Sequence, residues 1–343
     1  MSIKNTPIEK LKNKSEEKLA QIAVLGTGSI GMRHLRILSV LPDLDVYAVP
    51  TRLERLDELR AEGFKVAFQL DEIPNQDGVV VATNTGRHLS DAELALHSGA
   101  YVLVEKPLAP STVGVRSLLE LASAQKRGVF VGCCLRFKKC LLAFRELLAD
   151  IGSVYAVEIS CRSYLPDWRP GLDYRGGYAA HPQEGGVLRD LIHEVDYALW
   201  IFGTTKSVSG RLTNSGRLGI STEDLATLMW KSEQGVQVCI QLDYLARSPV
   251  RQMIAFGAYG QVSVDLISQM VVIQKPGEEP KTIDLKVPHD EMYTDQAKAF
   301  LRAIKGKDPG QLASGMEGLT ALATCDAARR SSQNRGAEEV VSW

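Results

Sequence analysis

The sequence predicts an α/β protein of two parts: an N-terminal doubly wound parallel sheet, then an α+β domain with a large open, mostly antiparallel sheet. Three observations predict it. Up to about residue 134, short apolar runs alternate with stretches of helical spacing, as strands and helices alternate in a parallel sheet. The first run leads straight into Gly26-Thr27-Gly28-Ser29-Ile30-Gly31, a glycine loop joining strand to helix. From about residue 152 the runs lengthen and take a period of two, as in Val236, Val238, Ile240, Leu242 and Tyr244, which suits strands with two different faces.

The elements follow in order. Residues 1–20 read as a charged extension, 21–145 as the dinucleotide-binding domain, and 146–343 as a substrate and oligomerisation domain with C-terminal helices. In the first domain strands are expected over 22–25, 46–49, 79–82, 102–104 and 129–132, with helices over 32–41 and 91–98. In the second, strands are expected over 154–163, 206–213, 224–231, 236–244, 251–256, 261–266 and 270–274, turning at Gln234-Gly235 and Tyr259-Gly260. One helix opens after Gly185-Gly186 and runs past Trp200, and two more cover 293–304 and 316–330.

Composition narrows the function. Forty basic against 41 acidic residues leave a net charge of −1, which gives no electrostatic case for nucleic acid or an anionic membrane as partner. Apolar runs such as Val79-Val80-Val81-Ala82 are far shorter than the roughly 20 residues that cross a bilayer. The six cysteines show neither CxxC pairs nor histidines at zinc spacing, so no metal is expected, and reduced thiols in a cytoplasmic protein are.

The glycine loop carries the first chemistry. Gly26 permits a tight turn, Gly28 lets backbone amides reach a pyrophosphate, and Gly31 lets the helix pack closely, with Ser29 and Ile30 at the helix N-terminus that favours the anion. This is the Rossmann arrangement for NAD(P). An NAD-selective site usually has a carboxylate about 20 residues on, where this chain has Thr51-Arg52. A hydroxyl and a guanidinium accept a 2′-phosphate that a carboxylate would repel, so NADP is favoured over NAD. Glu54 lies near enough to serve the ribose instead.

Glu105-Lys106-Pro107 follows a strand at the edge of the sheet where ligands bind, which aims Lys106 at the cleft. Asp190, His193 and Asp196, at about 100° per residue, share one face of the helix after Gly185-Gly186. With Ala82-Thr83-Asn84-Thr85, His88 and the glycine loop, these motifs resemble the Gfo/Idh/MocA family, named after glucose-fructose oxidoreductase and inositol dehydrogenase. The likeness covers about residues 22–332.

The resemblance implies NAD(P) bound between the two domains, and homodimers or homotetramers built through the open sheet. Lys106 and His193 then match the catalytic lysine and histidine, with Asp190 as carboxylate partner. The family usually separates that Asp from the His by three residues, here by Leu191 and Ile192 alone. Thr83, Asn84, His88, Glu105 and Lys106 are expected at the cofactor together with Gly26, Gly28, Ser29, Ile30, Gly31, Thr51 and Arg52. Lys106, Arg136, Trp168, Tyr174, Asp190 and His193 are expected at the substrate.

Residues 162–175, rich in aromatics, carboxylates and guanidiniums, suit a polyhydroxylated ring and are similar to a subset of the family encoded with bacterial surface-sugar biosynthesis. The expected reaction is hydride transfer between nicotinamide and a carbinol of a sugar, cyclitol or sugar derivative, with His193 as acid/base near its ordinary pKa of about 6.5. Two alternatives stay open: a non-catalytic NAD(P)-dependent sensor of the same fold, and an enzyme that recycles a tightly held cofactor within one turnover.

Overall fold

The first domain's apolar runs all become strands, because each is buried on both faces between helices. The computed structural model describes residues 19–182 and 184–343, so the charged extension expected over 1–20 lies outside the described residues up to 18, and Ala20 already opens the first strand. The strands are β1 (Ala20–Leu25), β2 (Leu44–Val49), β3 (Lys65–Val66), β4 (Gly78–Val81), β5 (Tyr101–Val104) and β6 (Val129–Val131). The helices between them are α1 (Ser29–Ser39), α2 (Arg55–Ala61), α3 (His88–His97) and α4 (Val115–Ala124). Pairing is parallel in the order β6-β5-β4-β1-β2-β3, which reverses direction between β4 and β1.

Helix α5 (Lys139–Leu147) packs on strands of the second sheet, so the domain boundary expected at 145/146 cuts a helix that already belongs to the second domain. That domain's strands are β7 (Val154–Tyr164), β8 (Ser207–Thr213), β9 (Leu225–Lys231), β10 (Gln237–Asp243), β11 (Leu245–Gly257), β12 (Gly260–Asp265), β13 (Met270–Gln274) and β14 (Lys281–Asp284). They pair in the order β14-β13-β12-β11-β7-β10-β9-β8, all antiparallel except β7 with β10. β14 and the pairs of residues that form β3 and two further short strands were not legible, being too short or too polar to show a period.

The expected single helix after Gly186 is two: α6 (Val187–Asp190) and α7 (Ile192–Phe202), broken at Leu191 with φ −95° and ψ 32°. The C-terminal segment also departs from expectation. Helix α8 (Glu291–Ile304) packs on α1, strand β15 (Ala313–Ser314) adds to β6 antiparallel, and α9 (Gly315–Gln333) packs on both β6 and β8. Helix α8 and strand β15 thus join the first domain, and α9 serves both. Phe300 meets Phe130 edge-on at 6.2 Å, and Tyr293 meets His34 at 6.1 Å. A last strand, β16 (Glu339–Val340), pairs with β8.

One face of the large sheet is covered by α5, α6, α7 and α9 and carries Val157, Ile159, Trp230, Ile240 and Met253, all buried. Across the other face the register aligns Met229, Cys239, Glu158, Ile254, Ser263 and Val272. That face is mixed rather than apolar.

Candidate active site

The loops after β1 and β4 meet where the sheet order reverses, the place where open α/β sheets bind ligands. The three glycines there divide the work. Gly26 has φ +92°, and a Cβ on it would stand 2.6 Å from the Ala82 carbonyl; on Gly31 it would stand 1.9 Å from the Gly26 carbonyl. On Gly28 a Cβ would meet nothing within 4 Å. Gly26 and Gly31 are thus held by the fold, whereas Gly28 faces a cleft of about 460 Å³ lined by Thr27, Thr51, Arg52, Thr83, Asn84 and two further arginines, Arg55 and Arg87. Gly28 caps α1 with no side-chain cap, and no acidic residue occupies the first turn. Uncapped amides at a helix N-terminus beside the guanidinium of Arg52 fit a dinucleotide pyrophosphate, while Arg55 and Arg87 pair with Glu58 (3.1 Å) and Asp91 (2.9 Å). Ser29 and Ile30 open α1 directly after Gly28, Ser29 exposed and Ile30 half-buried.

Lys106 leaves β5 at the same sheet edge. Its ammonium donates to the Asp190 main-chain carbonyl at 2.7 Å and to Asp190 Oδ1 at 3.2 Å, across the domain boundary. Asp190 Oδ2 accepts from the buried Tyr244 hydroxyl at 3.0 Å. Burial works against the charge on Lys106, but Asp190, Tyr178 and Glu105 outweigh it, and the pKa is raised. Lys106 is a cation at neutral pH.

His193 sits in the first turn of α7, and its buried Nδ1 has no hydrogen-bond partner among the described residues. Burial, then the charges of Lys106 and Arg251, push its pKa well below 6.5. The imidazole is therefore neutral, a correction to the near-ordinary pKa expected. Asp190 makes no hydrogen bond with the His193 Nδ1; its two oxygens accept from Lys106 and Tyr244. The break at Leu191 is the physical reason: it takes Asp190 and His193 off one continuous helix face.

Beside Asp190 a second cavity, of about 380 Å³, is lined by Trp168, Tyr174, Tyr178, Leu165 and Arg169 among others. Trp168 and Tyr174, both expected at the substrate, thus line one cavity. Trp168 meets Tyr244 edge-on at 5.4 Å, which ties the wall of this cavity to the Asp190–Lys106 pair. Burial and the nearby Asp190 push the Tyr178 hydroxyl up to about 12, so it stays protonated.

Three expected site residues make buried contacts within the protein. Glu105 is buried against α1, with Oε1 2.7 Å from His34 Nε2, and Oε2 accepts the Lys106 amide. Burial would raise its carboxyl, but His34 and Lys106 outweigh that and hold it low. It is a charged anchor for the end of β5. His88 is buried between the Pro107 carbonyl (2.7 Å) and the Thr83 carbonyl (3.2 Å), and bridges the loops after β5 and β4. Arg136 grips Asp196 with two contacts of 2.9 and 2.7 Å and reaches Glu317 at 2.6 Å, nearly fully buried. That ion pair consumes both Arg136, expected at the substrate, and Asp196, expected beside His193.

Sequence reading passed over Arg55, Arg87, Tyr178 and Tyr244. Tyr244 alone had a signal, as the last apolar position of a period-two run. Among the described residues no group of three His, Cys, Asp or Glu is placed to hold a metal ion, and no helix is long and apolar enough to cross a membrane.

A dinucleotide cleft at the reversal of a parallel sheet, with a charged lysine and a neutral histidine across the domain boundary, defines a two-domain nicotinamide-dinucleotide oxidoreductase. Residues 20–133 match the oxidoreductase family with NAD-binding Rossmann fold, and residues 141–263 match the GFO/IDH/MocA C-terminal domain. The chain belongs to the Gfo/Idh/MocA oxidoreductase family. It is 25% identical over 342 residues to the myo-inositol 2-dehydrogenase of Thermotoga maritima, covering 94% of this chain and 99% of that one. It is 26% identical to an inositol 2-dehydrogenase of Rhizobium meliloti, covering 91% and 96%. Levoglucosan dehydrogenase, solved with NADH and levoglucosan, superposes with a TM-score of 0.84 over 94% of this chain and all (100%) of that one, at 15% identity.

Proposed function

We propose that the protein is a dehydrogenase acting on CH–OH groups, moving a hydride between NAD(P) and a carbinol of a cyclitol, sugar or sugar derivative. The observation that supports this is Lys106, held by Asp190 across the domain boundary and near enough to His193 for its charge to lower the imidazole pKa, beside a cavity that Asp190 lines. The dinucleotide, when bound along Gly28 and the N-terminus of α1, supplies the hydride chemistry. Lys106 holds the reacting oxygen and stabilises its developing negative charge. His193 takes the hydroxyl proton in oxidation and returns it in reduction. A base must be neutral to accept that proton, and burial beside two cations keeps it so. Asp190 and Tyr244 hold the ammonium in place, while Trp168 and Tyr174 give the ring its walls.

Arg52 after β2, with Arg55 beside it and also reaching Glu58 at 3.1 Å, favours NADP over NAD. A homodimer or homotetramer joined through the outward face of the large sheet fits the exposure of Met229 and Tyr155 there. The six free cysteines, five of them buried, suit the cytoplasm. The deciding experiment is native mass spectrometry of the purified protein, followed by inositols, aldoses and nucleotide sugars offered with NAD or NADP. Turnover of a polyol with stoichiometric reduction of added dinucleotide supports the reading. A cofactor that stays bound through every cycle, or no turnover at all, goes against an ordinary dehydrogenase.

A further inference from the structure

The cavity beside Asp190 has a neighbour. Tyr174, in its wall, donates to the Leu218 carbonyl at 2.9 Å, and Leu218 lines a second, more open basin of about 650 Å³ with Tyr164, Arg217 and Arg247. Tyr164 directly precedes Leu165 of the first cavity, so the two basins share a wall. At this wall Lys106 and Asp190 neutralise each other, and Arg175 lies 3.6 Å from Asp173. Arg169, Arg217 and Arg247 are left, and among the described residues no carboxylate pairs with any of them. In a chain of net charge −1, that is a concentrated positive field at the entrance to one site.

The arginines are also placed to bind. Arg247 lies over the Tyr164 ring, 3.5 Å from its centroid. Stacking spends the face of a guanidinium and leaves its edge, which carries the N–H donors, free for an oxyanion. Arg217 rises from a fastened turn: Ser215 bonds Asp224 through its amide (2.8 Å) and its hydroxyl (2.6 Å), and the Arg217 amide bonds that same hydroxyl oxygen at 3.3 Å. The inner cavity has room for one ring. The outer one exceeds what a single carbinol-bearing ring requires.

We propose that the substrate is an anionic sugar or cyclitol derivative whose phosphate or carboxylate group seats in the outer basin between Arg217 and Arg247, while its ring presents a carbinol to Lys106. This rests on the dehydrogenase reading above and names its substrate class.

The test uses the full-length protein saturated with dinucleotide, so that the pyrophosphate cradle at Gly28 is taken. Calorimetric titration with inorganic pyrophosphate is expected to show binding that weakens with salt and falls about tenfold or more in the Arg217→Gln, Arg247→Gln double variant. Initial rates are then compared for myo-inositol, glucuronate and glucose 1-phosphate. One anionic compound is expected to exceed the neutral one in kcat/KM by about tenfold or more, mainly through KM, and to lose that advantage in the double variant; whichever of the two it is identifies carboxylate or phosphate. Pyrophosphate that fails to bind, or binds the double variant equally, overturns the proposal, as does a neutral polyol preferred by both proteins. Pyrophosphate binding that depends on the two arginines, with no hydride transfer to any compound, sustains the anion site and tells against the dehydrogenase reading instead.

Discussion

Tyr244 and Lys106 hold the Asp190 side chain from opposite oxygens, Tyr244 donating to Oδ2 at 3.0 Å and Lys106 to Oδ1 at 3.2 Å. The carboxylate is thereby fixed, and the lysine's charge with it. Asp190→Asn removes the main source of the raised Lys106 pKa. The ammonium should then deprotonate at lower pH, and the alkaline loss of activity should move to lower pH in step. Tyr244→Phe leaves the charge but frees one oxygen, so kcat should fall about tenfold with the alkaline limb in place. An unmoved limb in Asp190→Asn, measured as kcat/KM against pH, would show that Lys106 does not report on Asp190.

His193 titrates well below 6.5, so oxidation should stay flat through pH 6.5 and decline only in more acid solution. His193→Ala should lower turnover about a hundredfold and abolish that decline. The same shift links to stability. Unfolded histidine takes a proton near pH 6.5 and the buried one does not, so the contribution is whole above 6.5 and lost as pH falls below it. His88, also lowered by burial, adds to the effect. Thermal unfolding between pH 7 and 5 should show a falling midpoint, with a shallower slope in His193→Gln.

Gly28 and Gly31 should fail in different ways. Gly31→Ala brings a methyl to 1.9 Å from the Gly26 carbonyl and should cost about 1–3 kcal/mol of stability. Gly28→Ala meets no protein atom within 4 Å, so its melting temperature should match the wild type while dinucleotide affinity drops about tenfold or more. A fluorescence titration with NADH and NADPH, beside a melting curve, separates the two. Equal affinity in Gly28→Ala would place the pyrophosphate elsewhere.

Cofactor choice should follow the guanidiniums of Arg52 and Arg55. NADPH should bind the wild type more tightly than NADH, and the Arg52→Ala, Arg55→Ala double variant should lose the preference, since a charge-assisted contact contributes about 1.5–3 kcal/mol. Tighter NADH binding by the wild type would refute this and turn attention to Glu54.

On the outward face of the large sheet, Met229 and Ile254 lie in the row that also holds Glu158. Met229→Glu with Ile254→Glu should convert an oligomer to monomer in light scattering without changing far-ultraviolet circular dichroism, because like charges then face each other across a symmetric interface. A wild-type protein already monomeric at micromolar concentration would end this reading.

By itself, the sequence determined the two sheets and the glycine loop, together with the edge on which Lys106 emerges. These follow from local period and from a motif whose glycine spacing carries a recurring strand-turn-helix task, so Gly26, Gly28 and Gly31 could each be assigned a role before the fold was known. Trp168 and Tyr174 stood out because a polar loop dense in aromatic rings has few structural uses, and both line the cavity beside Asp190. Tertiary structure alone decided which charges remain available. Glu105, His88, Arg136 and Asp196 have the chemistry of a site, yet each is spent on a partner distant in the chain: His34, the carbonyls of Thr83 and Pro107, and for the last two one another. A one-residue break at Leu191 likewise separates Asp190, which meets Lys106, from His193, which burial and the charges of Lys106 and Arg251 keep neutral. Ion pairing, desolvation and the pKa values that depend on them are set by what folding brings within a few ångströms, and no periodicity along the chain records that distance.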